Sequence, residues 1–189
     1  KQEPLLPKPV EDMARALKDI ESKAEFFNIE SGKYMIGGFS AGAIPAGLIG
    51  SDNYGYSVLG LQKPDAIFLG YSPVSYDEFF AAYNDKNQSP EIKSACAQFL
   101  RKIGGVNFTA ESLNEFDLSK HINENYPPVY IIANEDDATV PISNSYLMKE
   151  LCIKYNIEHI AEIGKSGGHS FGLGNGLEVE GWLNKCVKW

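Results

Sequence analysis

The chain has 189 residues, 43% of them hydrophobic and 22% charged, so it is long enough to bury a substantial core and too apolar for disorder. A formal net charge of −8 argues against nucleic acid or an anionic membrane surface as the main partner. No apolar run approaches the ~20 residues of a spanning helix. The cysteines, Cys96, Cys152 and Cys186, are too few and too scattered for a disulfide framework or a zinc site, and as reduced thiols they fit a cytoplasmic location.

Residues 1–8 read as a proline-rich approach to a helix. That helix runs through Val10, Met13, Leu17, Ile20, Ala24 and Phe27, whose spacings of three and four put them on one face. Pro9 and the pair Glu11-Asp12 suit its first turn. Next comes the apolar run Tyr34-Met35-Ile36, then Gly38-Phe39-Ser40-Ala41-Gly42, then a small-residue segment. This is the layout of a nucleophile elbow, in which a strand ends in a sharp turn carrying a serine and a helix follows. The tight turn calls for glycine at 38 and 42, where side chains would meet backbone. Pro45 lies near the start of the helix and predicts a kink or a tightened first turn.

Ala66-Ile67-Phe68-Leu69-Gly70 reads as the next strand, with Tyr71, Ser72 and Pro73 at its carboxyl end, where open α/β sheets bind ligands; a substrate pocket and a plain loop are both open readings. Residues 75–125 are mainly helical. Ile92, Ala95, Cys96, Phe99, Leu100 and Ile103 share a face there, and the aromatic stretch 76–83 reads as core first, with a cap over an apolar site as the other reading. Val129 to Ala133 is a buried strand running into the acidic loop Asn134-Glu135-Asp136-Asp137-Ala138-Thr139-Val140-Pro141. A helix is expected over 143–155 and a strand over 157–163, followed by the glycine-rich loop Gly167-Gly168-His169-Ser170-Phe171-Gly172. The last helix starts near Glu178 and turns Val179, Trp182, Leu183 and Cys186 inward.

A serine hydroxyl becomes a nucleophile when a histidine takes its proton and a carboxylate orients that histidine. The order serine, acidic loop, histidine matches the α/β-hydrolases and neither of the other known serine-triad orders. His121, in a polar stretch, reads as a surface or helix-end residue, and His159, inside a strand, as a packed one. His169 is the histidine in a suitable loop, while spacing alone leaves Asp136 and Asp137 both open.

The chain resembles the acetylesterase and acetyl-xylan-esterase-like branch of the α/β-hydrolases, near the hormone-sensitive-lipase-like and prolyl-oligopeptidase-like relatives. The resemblance spans nearly the whole chain. It rests on residues 9–16, on Gly38-Phe39-Ser40-Ala41-Gly42, on Tyr126-Pro127-Pro128-Val129-Tyr130, on Asp137-Ala138-Thr139-Val140-Pro141 with Asn144-Ser145, and on Gly168-His169-Ser170-Phe171-Gly172. It implies a three-layer α/β fold, one catalytic domain over 1–189 with a helical cap or insertion at 75–125, and Asp137 as the acid. It also implies hydrolysis of short acyl esters, acetate above all, on small molecules such as sugars, with no metal or organic cofactor. The Ala41 backbone N–H is the expected oxyanion donor.

The family's amino-terminal strands and its second oxyanion donor have no counterpart here. The chain is therefore expected to be the carboxyl-terminal part of a longer hydrolase, with a strand from a missing segment or a partner chain pairing with residues 33–38. A prolyl-oligopeptidase-type peptidase and a non-catalytic binding module of the same fold remain the alternatives.

Overall fold

A computed structural model describes residues 4–189; residues 1–3 of the proline-rich approach lie outside the described residues. Strands β1 (Met35–Phe39), β2 (Ala66–Gly70), β3 (Val129–Asn134) and β4 (His159–Gly164) form one parallel sheet in sequence order. Each crossover is helical: α3 (Ala43–Ile49) joins β1 to β2, α4 (Asp77–Asn84), α5 (Pro90–Gly104) and α6 (Ala110–Asn114) lie between β2 and β3, and α7 (Ser143–Lys154) joins β3 to β4. Helices α1 (Lys8–Ser22) and α2 (Ala24–Phe27) precede the sheet and α8 (Trp182–Lys188) closes the chain.

Side chains alternate across the strands, as the period of two requires. Ile67, Leu69, Val129 and Ile131 face a large core shared with α1, α3, α5 and α7, where Leu48, Leu100 and Met148 are fully buried. Phe68, Tyr130 and Ile132 face a smaller cluster with Val179, Trp182 and Cys186. Every residue of β3 is buried, as expected of a parallel strand covered on both faces.

The departures from expectation have local causes. The first helix breaks at Lys23 (φ −117°, ψ 20°), and only its earlier part packs: Val10 and Ala14 are buried, whereas Ile20 and Phe27 are exposed. The face of α5 divides, with Leu100 and Ile103 entering the core and Ile92, Ala95, Cys96 and Phe99 lining a cavity beside Ser40. Helix α8 starts at Trp182, later than expected, after turns ending at Gly181 (φ 81°). Trp182 and Cys186 are buried, but Leu183 points to solvent at 43% exposure.

Strand β1 lies at one edge of the sheet. Its neighbour is β2, and among the described residues no strand pairs with its other side. Met35 and Phe39 are 41% and 42% exposed there. Because all four strands run the same way, Phe39, Gly70, Asn134 and Gly164 end on one side of the sheet, and the loops that follow are brought together. No helix among the described residues is long and apolar enough to cross a membrane.

Candidate active site

Ser40 sits where β1 stops. Its φ is +51°, a conformation rare for a residue with a side chain and a mark of the strained elbow. Gly38 makes the turn possible: a Cβ there would come within 2.1 Å of the Gly42 carbonyl oxygen. Gly42 differs from the expectation, since its φ is −70° and a Cβ would meet nothing within 4 Å. The requirement for glycine at 42 therefore does not come from the described residues. Residues Ser40–Gly42 form a 3₁₀ turn before α3, so the first turn is tightened as Pro45 predicts. The Ala41 N–H is the amide next after Ser40, and Ala41 lines the same cavity as Ser40.

His169 enters from the loop after β4. Its Nε2 lies 2.8 Å from Ser40 Oγ and its Nδ1 lies 2.6 Å from Asp137 Oδ2. The neutral tautomer that satisfies both bonds carries its hydrogen on Nδ1, donates to the carboxylate and accepts from the serine. The Asp137 side chain is 1% exposed. Its second oxygen accepts the N–H groups of Thr139 and Val140 at 2.8 and 2.9 Å, which fixes the carboxylate in a tight Asx-type turn. Three side chains from three loops thus form one hydrogen-bonded line. Asp136 points elsewhere, and its carboxylate accepts the N–H groups of Gly167 and Gly168. Those bonds, Gly168 first, hold its carboxyl below the usual range.

The residues after β2 have separate roles. Pro73 lines the cavity. Ser72 is buried, with its hydroxyl donating to the Pro73 carbonyl at 3.2 Å, and it does not line the cavity. Tyr71 packs its ring against His169, edge to face at 4.7 Å between centroids, with Phe171 behind it at 5.1 Å. Burial first, and then the charge of Asp137, pushes the Tyr71 phenol up. This loop is tied to the acid loop by Asn144, whose Oδ1 accepts the Val74 and Ser75 N–H groups at 2.9 and 3.0 Å. Buried Asp117 accepts the Tyr76 N–H at 2.9 Å and the Ser75 hydroxyl at 2.9 Å. Asp117 carried no motif in the sequence, and its role shows only once the segment after α6 meets the loop after β2.

The cavity beside Ser40 measures about 550 Å³. Phe79, Ala82, Ile92, Ala95, Cys96 and Phe99 of the α4–α5 hairpin form one wall, and Val140 and Pro141 of the acid loop form another. Phe79 and Phe99 contact each other at 4.7 Å between ring centroids. The other histidines lie outside this arrangement: His121 bonds Asn53 and the Glu115 carbonyl, and His159 bonds the Ile157 carbonyl. Among the described residues no three His, Cys, Asp or Glu side chains gather into a metal-ligand set.

Residues 1–151 match the family model BD-FAE. That span includes Ser40 and Asp137 and stops before His169. Endo-1,4-beta-xylanase B of Butyrivibrio fibrisolvens is 28% identical over 186 residues, which cover 95% of this chain and 27% of that protein. The crystal structure of an acetyl ester-xyloside bifunctional hydrolase from Caldicellulosiruptor lactoaceticus superposes with a TM-score of 0.76 at 25% identity, covering 97% of this chain and 65% of its own. A sugar hydrolase from Lactococcus lactis superposes with a TM-score of 0.70 at 21% identity, covering 100% of this chain and 68% of its own, a likeness of fold. The chain thus spans about a quarter of the xylanase and about two thirds of the solved structures.

Proposed function

The chain belongs to the BD-FAE family, and from that premise we propose that it carries the catalytic centre of a serine carboxylic-ester hydrolase. The observation that carries this reading is the line Ser40–His169–Asp137, with contacts of 2.8 and 2.6 Å. Ser40 Oγ attacks the ester carbonyl carbon while His169 Nε2 takes its proton. Asp137 keeps the ring in the productive tautomer and stabilises the imidazolium. The Ala41 N–H donates to the oxyanion. The tetrahedral intermediate collapses, the alcohol departs with the proton from His169, and an acyl-Ser40 ester remains. Water, deprotonated by the same imidazole, then attacks that ester and releases the acid and the free serine.

The substrates of this reading are short acyl esters, acetyl esters above all, with a sugar as the alcohol. The likeness to the acetyl ester-xyloside hydrolase and to the xylanase supports a carbohydrate context. In the same reading the α4–α5 hairpin is the cap over the site, supported by the residues it places along the cavity. The second oxyanion donor, and a strand pairing with the open edge of β1, come from outside this chain. The exposed Met35 and Phe39 on that edge support the second point. Three unpaired buried thiols support a reducing compartment.

The test is hydrolysis of a series of activated esters, acetyl to octanoyl, by the full-length protein, with Ser40→Ala as control. The parent should favour the short esters, and the alanine variant should lose nearly all activity. An alanine variant as fast as the parent would remove Ser40 from the mechanism.

A further inference from the structure

We propose that Asp136 is a positioning residue for His169, holding the backbone from which the imidazole hangs. The proposal rests on the reading of Ser40, His169 and Asp137 as the hydrolytic centre.

A catalytic imidazole must be fixed at two places, its ring and its Cα. Asp137 fixes the ring. The two residues before His169 are both glycines, with φ of +137° and +60°, and they have no side chains through which packing could hold them. A diglycine entry of this kind is loose unless its peptide groups are tied from outside. The acid loop supplies the ties. Asp136 Oδ2 accepts the Gly167 N–H at 3.1 Å and Oδ1 accepts the Gly168 N–H at 2.8 Å, so one carboxylate grips two successive amides. Asn134, fully buried at the end of β3, donates its side-chain amide to the Gly168 carbonyl at 3.3 Å. The Glu135 N–H donates to the Gly164 carbonyl at 2.8 Å.

Four consecutive residues, running from the end of β3 into the acid loop, therefore hold the histidine segment. Asn134, Glu135 and Asp136 hold its backbone, and Asp137 holds its ring. Neighbouring aspartates divide the work: Asp137 is buried and aimed at the imidazole, whereas Asp136 is exposed and aimed at the peptide groups that precede it. The bonds from Asp136 are charge-assisted and use one carboxylate oxygen each, so an asparagine here loses the charge and sets a donor NH2 where one of the two acceptor oxygens stood. An exposed carboxylate that contributes nothing to the core should act on catalysis far more than on folding.

The experiment measures Asp136→Asn and Asp136→Glu in the full-length protein and repeats Asp136→Asn in the His169→Ala background. The readouts are kcat and KM for an acetyl ester and the melting temperature. Asp136→Asn should lower kcat about 10- to 100-fold, the scale of a misplaced catalytic group, with KM changed less than about 2-fold. Asp136→Glu keeps the charge but displaces the carboxylate, so it should also lower kcat. In the His169→Ala background Asp136→Asn should have no further effect on the residual rate, because a residue that acts through the imidazole has nothing left to act on. An Asp136→Asn variant with the parent's kcat overturns the proposal. So does an equal loss in the His169→Ala background, or an unfolded variant, since each points to a general structural role. If Ser40→Ala and His169→Ala both match the parent, the hydrolytic reading fails instead.

Discussion

Replacing Gly38 with alanine separates the two glycines of the elbow, which a motif treats as equivalent. The new Cβ would lie 2.1 Å from the Gly42 carbonyl oxygen, 2.4 Å from the Gly42 carbonyl carbon and 2.7 Å from the Ala43 nitrogen. All three are backbone atoms, so no rotamer relieves the contact. In a close-packed interior, restoring ordinary separation requires the turn to move by roughly 1 Å. Ser40 lies between the clashing residues, and its 2.8 Å bond to His169 would pass beyond hydrogen-bond range. Displacement on that scale costs roughly 10²-fold in rate. Overpacking costs about 1–3 kcal/mol, and with no flexible neighbour the upper end applies. For a chain of this size 3 kcal/mol corresponds to a melting temperature lower by roughly 6–12 °C. Gly42→Ala is the internal control. Its φ of −70° suits alanine and the space is open, so stability should hold or rise by about 0.4–1 kcal/mol. Thermal unfolding and acetyl-ester hydrolysis of both variants decide the matter. If Gly38→Ala melts and turns over like the parent, or if both variants fail alike, the steric reasoning is wrong.

Other expectations follow from the same geometry. Asp137→Asn should reduce kcat by about 10⁴ with little change in KM, because an amide that donates to Nδ1 selects the wrong tautomer; steady-state kinetics read this directly. Ala82→Phe, which fills the cavity wall on α4, should lower kcat/KM for octanoyl esters and spare acetyl esters; a uniform loss across chain lengths would place the acyl group elsewhere. Burial pushes the Cys152 thiol up to about 12, so at pH 8 only about one molecule in 10⁴ carries the thiolate. Native protein should therefore leave Cys152 unmodified by iodoacetamide, and denatured protein should not, as peptide mass mapping would report. The Asp136 carboxyl is held below its ordinary value, so its bonds are fully present above the usual carboxylate range and are lost only as pH falls through the lowered one. Activity that declines between pH 7 and pH 5 should show the same profile in Asp136→Asn, after scaling for its lower rate.

Much of the site was legible because its chemistry is local. A serine between glycines behind an apolar run, a histidine among glycines and an acidic loop after a buried strand each declare themselves within a few residues. A parallel sheet then gathers the carboxyl ends of its strands and brings those loops together. What escaped depends on contacts between distant segments. Val10 and Ile20 are spaced for the same face of one helix, yet only Val10 meets the core, because the later part of α1 faces Tyr34 and Leu61 across an open cavity that leaves Ile20 exposed. The choice of Asp137 came from resemblance, and the reason for it is three-dimensional: Asp136 is engaged by Gly167 and Gly168. At Tyr71 the place after β2 left a pocket and a plain loop both open, and its ring lies against His169 and Phe171. Gly42 shows the opposite error, since a motif letter carried more weight than the space around it.

Trapping the acyl-enzyme addresses the nucleophile itself. Full-length protein mixed with an activated acetyl ester, quenched in acid within the first turnovers and digested, should carry acetyl mass on the peptide that contains Ser40, and Ser40→Ala should carry none. Steady hydrolysis with an unmodified Ser40 peptide, or acetyl on a different side chain, would contradict the account.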